Sequence, residues 1–123
     1  MILLKRITTV ASLIFVIFFV NTDIRAAIIE YELTITRREV NFTGKPAWGM
    51  TINGGIPGPT LRFKEGDFAR IHVHNKMNVE TSIHWHGILV SPDMDGVPYI
   101  SFPPIAAGKT FTYEFPIRQS ETY

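Results

Sequence analysis

The spacing of hydrophobic and polar residues changes abruptly near residue 27. Before it, an uncharged apolar run from Ile7 to Val20 follows Lys5-Arg6 and gives way to a polar stretch ending in Ala26-Ala27. After it, the chain breaks into short alternating segments separated by Gly, Pro, Asn and Asp, the grammar of strands and turns. Ile29, Tyr31, Leu33 and Ile35 alternate with Glu30, Glu32, Thr34 and Thr36, which gives an early strand one buried and one wet face. A shorter strand over 47–52 ends at Asn53-Gly54-Gly55, and Pro57-Gly58-Pro59 follows as turn chemistry. From Gly66-Asp67 onward Ala69, Ile71 and Val73 face one way while Arg70, His72 and His74 face the other. The pattern predicts further strands over 82–90 and 110–115, with a loop over 93–99 and an irregular stretch bracketed by Pro103-Pro104 and Gly108-Lys109. No segment beyond residue 27 carries helical periodicity, so the expected fold class is all-β, an antiparallel Greek-key β-sandwich.

The apolar run at the N-terminus needs a separate explanation. A helix over Ile7–Val20 rises about 1.5 Å per residue and reaches roughly 21 Å, short of the roughly 30 Å hydrocarbon core. Basic residues before the run and small residues after it match a cleavable signal peptide better than a membrane anchor. The division expected is therefore a signal peptide at 1–26 and one domain at 27–123, exported and without a stable membrane span once the signal is removed. With 123 residues in all, no second domain is expected.

Charge adds only exclusions. The net charge is +1, and Lys5, Arg6 and Arg25 against Asp23 more than account for it, which leaves the remainder slightly acidic. Charges are mixed along the chain, so no basic face for nucleic acid is expected. There is no cysteine. The domain must rely on an apolar core rather than on disulfides, and a thiolate-ligated metal site cannot be built from these residues.

The four histidines fall into two His-x-His pairs. On a strand, residues two apart project from one face, so His84 and His86 would present two imidazoles together, a donor type that suits copper and zinc. A wet strand face also carries histidines for no metal at all. His72-Val73-His74 has the same spacing but shares its face with Arg70, whose charge opposes a cation, and it reads as structural. The His84 pair encloses Trp85, runs into Gly87 and precedes a turn-rich segment through which a site could be approached. Met50, Met77 and Met94 are too scattered for a methionine-rich copper segment and read as packing residues.

Several motifs in order resemble the opening of the bacterial copper-resistance multicopper oxidases. They are Asn41-Phe42-Thr43-Gly44-Lys45, Asn53-Gly54-Gly55-Ile56-Pro57-Gly58-Pro59-Thr60-Leu61-Arg62, Glu65-Gly66-Asp67, His84-Trp85-His86-Gly87-Ile88-Leu89, Met94-Asp95-Gly96-Val97-Pro98 and Phe111-Thr112-Tyr113-Glu114-Phe115. The resemblance implies a plastocyanin-like (cupredoxin) domain whose His-x-His pair reaches a trinuclear copper cluster, with His84 on the type 2 copper and His86 on a type 3 copper. By the same likeness Trp85 belongs to the core, and Asp95 to Pro98 form a loop beside the cluster that need not touch metal. Glu121 departs from the family, which commonly has Gly there.

The family draws its remaining cluster histidines and its type 1 cysteine from sequence that is not present here. The expectation is a copper-binding N-terminal domain, incomplete at its C-terminal end and not catalytically complete alone. Its partners are copper ions and the remaining cupredoxin domains of a parent oxidase, and its compartment is the periplasm. The parent would couple oxidation of cuprous copper or another one-electron substrate to reduction of dioxygen to water. The alternative is a stand-alone periplasmic copper-binding or copper-buffering module.

Overall fold

The computed structural model describes residues 26–122. The signal peptide expected at 1–26 therefore lies outside the described residues, apart from Ala26. Four strands, β1 (Ile28–Val40), β2 (Ala47–Ile52), β3 (Phe68–Asn75) and β4 (Thr110–Pro116), form one sheet in the order β2-β1-β3-β4. The one helical element among the described residues is a single 3₁₀ turn at Pro92–Met94. The all-β class therefore holds, in a mixed sheet rather than a purely antiparallel one.

The β1–β2 and β3–β4 pairs are antiparallel, whereas β1 and β3 run parallel from Ile28↔Phe68 to Ile35↔Asn75. The cause is the connection. After β2 the chain crosses residues 53–67 to the far side of β1, and a crossover of that length can enter the sheet in the parallel sense, which a two-residue hairpin cannot. β1 is divided along its length: residues 28–35 pair with β3 and residues 35–40 pair with β2, so Ile35 alone has a partner on both sides. Asn53 secures the turn after β2, with its backbone N–H donating to Thr34 O, its Oδ1 accepting from Thr34 N and its Nδ2 donating to Glu32 O.

One face of the sheet carries the core. The alternation in β3 buries Ala69, Ile71, Val73 and Asn75, and Leu33, Ile35, Tyr113 and Phe115 join them from β1 and β4. At roughly 1.5–3 kcal/mol for each large apolar side chain fully buried, this face supplies the main driving force of the fold. A layer without regular strands covers it, drawn from residues 77–105 and packing Met77, Ile83, Trp85, Ile88, Met94, Phe102 and Ile105 against the sheet. Aromatic rings interlock the two layers: Phe102 meets Phe111 edge-on at 4.6 Å and stacks on Tyr113 at 5.4 Å between ring centroids.

Asn75 pins this cover. Fully buried, it donates through Nδ2 to the carbonyls of Val79, Ile105 and Ala106 and accepts from Met77 N through Oδ1. A buried amide with its donors and acceptor all engaged avoids the penalty of an unpaired polar group and fixes where the covering chain enters and leaves. Thr81 and Ile105 exchange both backbone bonds, at 3.1 and 2.7 Å, and close the base of the layer.

The strand expected over 82–90 is not formed. Beyond the Thr81↔Ile105 bridge no described strand runs beside this segment, so no ladder can propagate. Side chains hold it instead: Ile83 N donates to Tyr113 Oη at 3.1 Å and Leu89 N donates to Gln119 Oε1 at 2.6 Å. The alternation that suggested a strand survives without one, since Ile83 and Trp85 pack inward while His84 and His86 are exposed.

Candidate metal centre

The site is assembled on this unladdered segment. Trp85 anchors it, its indole lying edge-on to Tyr113 at 5.2 Å and tilted on Phe115 at 5.5 Å between centroids. Its Nε1 is buried without a hydrogen-bond partner among the described residues. With Trp85 held inward, its two neighbours are turned outward, and their imidazoles lie 5.9 Å apart at 56°. The chain then turns: Ile88 N donates to Trp85 O at 3.1 Å, with Gly87 at φ +82, a backbone angle for which glycine carries no steric cost.

The orientation of His84 is set from the loop after the 3₁₀ turn. Its Nδ1 lies 2.8 Å from the backbone carbonyl of Asp95 and 3.4 Å from that residue's Oδ1. A carbonyl oxygen only accepts, so Nδ1 of the neutral ring carries the proton and Nε2 is left with its lone pair. This is the arrangement metal-binding histidines commonly adopt, one nitrogen donating to a carbonyl and the other free to ligate. The contact depends on a close approach of two backbones at Gly96, where a Cβ would sit 1.8 Å from Ile83 O.

His72 and His74 differ in what their nitrogens already do. His74 Nδ1 is 2.7 Å from Thr110 Oγ1 and its Nε2 is 2.5 Å from Glu32 Oε2, so both are engaged across the sheet. His72 Nδ1 is 2.8 Å from Thr112 Oγ1. On the same face Arg70 bonds Glu30 and Glu114, each at 2.6 Å, and these carboxylates hold its guanidinium charged by raising its pKa further. This pair belongs to a cross-strand polar ladder and the structure does not bring it to the His84 pair as a unit.

The residues present suit a copper ion in part. Two outward imidazoles, one with its tautomer fixed, are the right donor type, but among the described residues no cluster of three or more His, Cys, Asp or Glu forms a cage. Sequence reasoning singled out the two histidines and the Asp95 loop. It did not find the carbonyl contact from Asp95 or the role of Gln119, because neither leaves a local pattern around the pair.

Comparison with known proteins places this geometry in a family. The multicopper oxidase family model matches residues 34–123, and the chain belongs to that family. It is similar to copper resistance protein A of Pseudomonas syringae pv. tomato, with 49% identity over 94 residues, covering 76% of this chain and 15% of that protein. Among solved structures it resembles the multi-copper oxidase of Pseudomonas thermotolerans, with 36% identity and a TM-score of 0.71 over 76% of this chain and 23% of the other. It also resembles the multicopper oxidase of Campylobacter jejuni, described as a metallo-oxidase, with 38% identity and a TM-score of 0.67 over 80% of this chain and 21% of the other. The chain thus spans about a sixth of the length of the copper resistance proteins it matches. Among the described residues no helix is long and apolar enough to cross a membrane.

Proposed function

We propose that residues 27–123 are the N-terminal cupredoxin domain of a multicopper oxidase, contributing His84 and His86 to a trinuclear copper cluster. The observation that carries the reading is the bond from His84 Nδ1 to the Asp95 carbonyl, which leaves Nε2 bare beside the exposed His86 ring. On the family pattern His84 serves the type 2 copper and His86 a type 3 copper. The other cluster ligands and the type 1 thiolate then come from outside these residues, and the bound copper supplies electron transfer to dioxygen. In the parent oxidase the domain positions two imidazoles, and Trp85 keeps them on one side of the segment. Exposed Leu89, Tyr99 and Ile100, on the loops bounding the site, are apolar surface of the kind that further domains would cover. Family membership supports a role in copper handling, and residues 1–26 as a signal peptide would place it in the periplasm.

A stand-alone copper buffer is less well supported. Tight capture needs three or four protein ligands, and the described residues bring two together. The test is calorimetric titration of the chain with Cu(I) and Cu(II), beside His84→Ala/His86→Ala and His72→Ala/His74→Ala variants. Micromolar or weaker binding that disappears in the first variant and persists in the second is expected. Binding indifferent to His84 and His86 overturns the reading, and submicromolar binding lost in the first variant favours the buffer.

A further inference from the structure

Gln119 lies three residues beyond the end of β4, in a stretch secured to the sheet by Ile117 N donating to Asp67 O at 2.8 Å and Gly66 N donating to Ile117 O at 2.9 Å. From this anchored base its side chain reaches the backbone directly after His86. Its Nε2 donates to Gly87 O at 3.0 Å and its Oε1 accepts from Leu89 N at 2.6 Å. One half-buried amide therefore clasps the chain on both sides of Ile88, its donor and its acceptor sitting on separate atoms of one planar neutral group.

This clasp acts where regular structure does not. His84 is fixed through its own ring by the Asp95 carbonyl, but no hydrogen bond reaches either ring nitrogen of His86 among the described residues. What determines where His86 points is the backbone that carries it. On one side that backbone is held by the inward packing of Trp85, and on the other by the turn to Ile88 and the Gln119 amide. We propose that Gln119 is a positioning residue for the metal-binding pair, holding the Gly87–Leu89 backbone so that the His86 ring stays in register with His84. Its meaning for copper rests on the function proposed above. Asparagine would be too short to span both contacts from this base. Glutamate keeps an acceptor for Leu89 N and loses the donor to Gly87 O.

The experiment compares wild type, Gln119→Leu and Gln119→Glu in the full chain by amide hydrogen exchange, by NMR of the His86 ring and by Cu(II) titration followed by EPR. In Gln119→Leu the Leu89 amide is expected to exchange about tenfold faster, the scale of one lost hydrogen bond. The His86 ring resonances should shift, while Ile71 and Val73 in β3 keep their protection. Copper affinity should fall about tenfold with altered EPR parameters, the scale for loss of a group that orients a ligand. Unchanged Leu89 exchange and His86 resonances in Gln119→Leu overturn the proposal, as does unchanged copper binding when His84→Ala/His86→Ala abolishes it. If the sheet itself loosens in Gln119→Leu, the decision passes to Gln119→Glu. There, protected Leu89 with displaced His86 resonances supports the clasp, and His86 resonances identical to wild type sink it. Wild-type copper binding independent of the two histidines refutes the copper reading alone, and Gln119 is then judged on Leu89 exchange and the His86 ring.

Discussion

Replacing Gly96 by alanine places a methyl group 1.8 Å from the carbonyl oxygen of Ile83, 2.7 Å from its carbonyl carbon and 3.3 Å from Cα of His84. All three neighbours are backbone, so no side chain can rotate aside. The segments must part by more than an ångström, and the Asp95 carbonyl, one residue before Gly96, is then drawn off His84 Nδ1. Gly108 provides a matched control, because its φ of +72 is almost that of Gly96 at +73 and nothing among the described residues lies within 4 Å of its would-be Cβ. Gly108→Ala therefore costs only the left-handed backbone, about 1–2 kcal/mol. Gly96→Ala adds overpacking of about 1–3 kcal/mol, for a total of about 2–5 kcal/mol. Against a typical stability of about 5–15 kcal/mol the larger value threatens the fold, and the smaller does not. Urea unfolding followed by tryptophan fluorescence measures both, and copper titration reports on His84. Only Gly96→Ala should also weaken copper binding. Equal destabilisation of the two variants, or Gly96→Ala with wild-type copper binding, would refute the argument that this glycine sets the His84 contact.

Two other substitutions separate packing from polar effects. Trp85→Ala should cost about 3–5 kcal/mol, the range for emptying a large aromatic site. Trp85→Phe should cost distinctly less, because it removes a buried Nε1–H that has no partner among the described residues while keeping a ring against Tyr113 and Phe115; similar losses in chemical denaturation would show that the indole nitrogen is satisfied after all. Burial raises the Tyr113 pKa above its ordinary 10.0, partly offset by the hydrogen bond from Ile83 N. With the folded value raised, the unfolded chain loses this proton first, so the contribution is intact below about pH 10 and falls as pH climbs through and beyond that value. The urea midpoint of wild type should drop more steeply above that pH than that of Tyr113→Phe, and parallel curves would contradict the assignment.

The legible parts of this molecule were those written in local period. Alternation gave β1 through Leu33 and Ile35, β3 through Ala69, Ile71 and Val73, and the outward pairing of His84 with His86 around an inward Trp85. The same alternation misled over 82–90, because period two reports which side chains are buried and not whether a neighbouring strand exists to complete a ladder. The parallel pairing of β1 with β3 depends on where residues 53–67 cross, which turn residues do not encode. The groups that orient the site are also remote: Asp95 is 11 positions from His84, and Gln119 is 32 from Gly87 and 30 from Leu89. Chain topology brings them there, so inspection of the His84-Trp85-His86 motif gives no sign of them.

The division of β1 at Ile35 has a consequence for how the molecule breathes. Residues 35–40 and β2 form a local hairpin with little chain between its strands, whereas residues 28–35 are tied through β3 to β4, which ends at Pro116. An edge hairpin with exposed Trp48 and Met50 has few buried side chains to lose, so it should open at a free energy well below that of global unfolding. The histidine-bearing layer packs on β3 and β4 through Tyr113, Phe115 and Asn75. Excursions at the β2 edge should thus proceed while the two imidazoles stay in place, a labile margin beside a protected layer that amide hydrogen exchange would resolve.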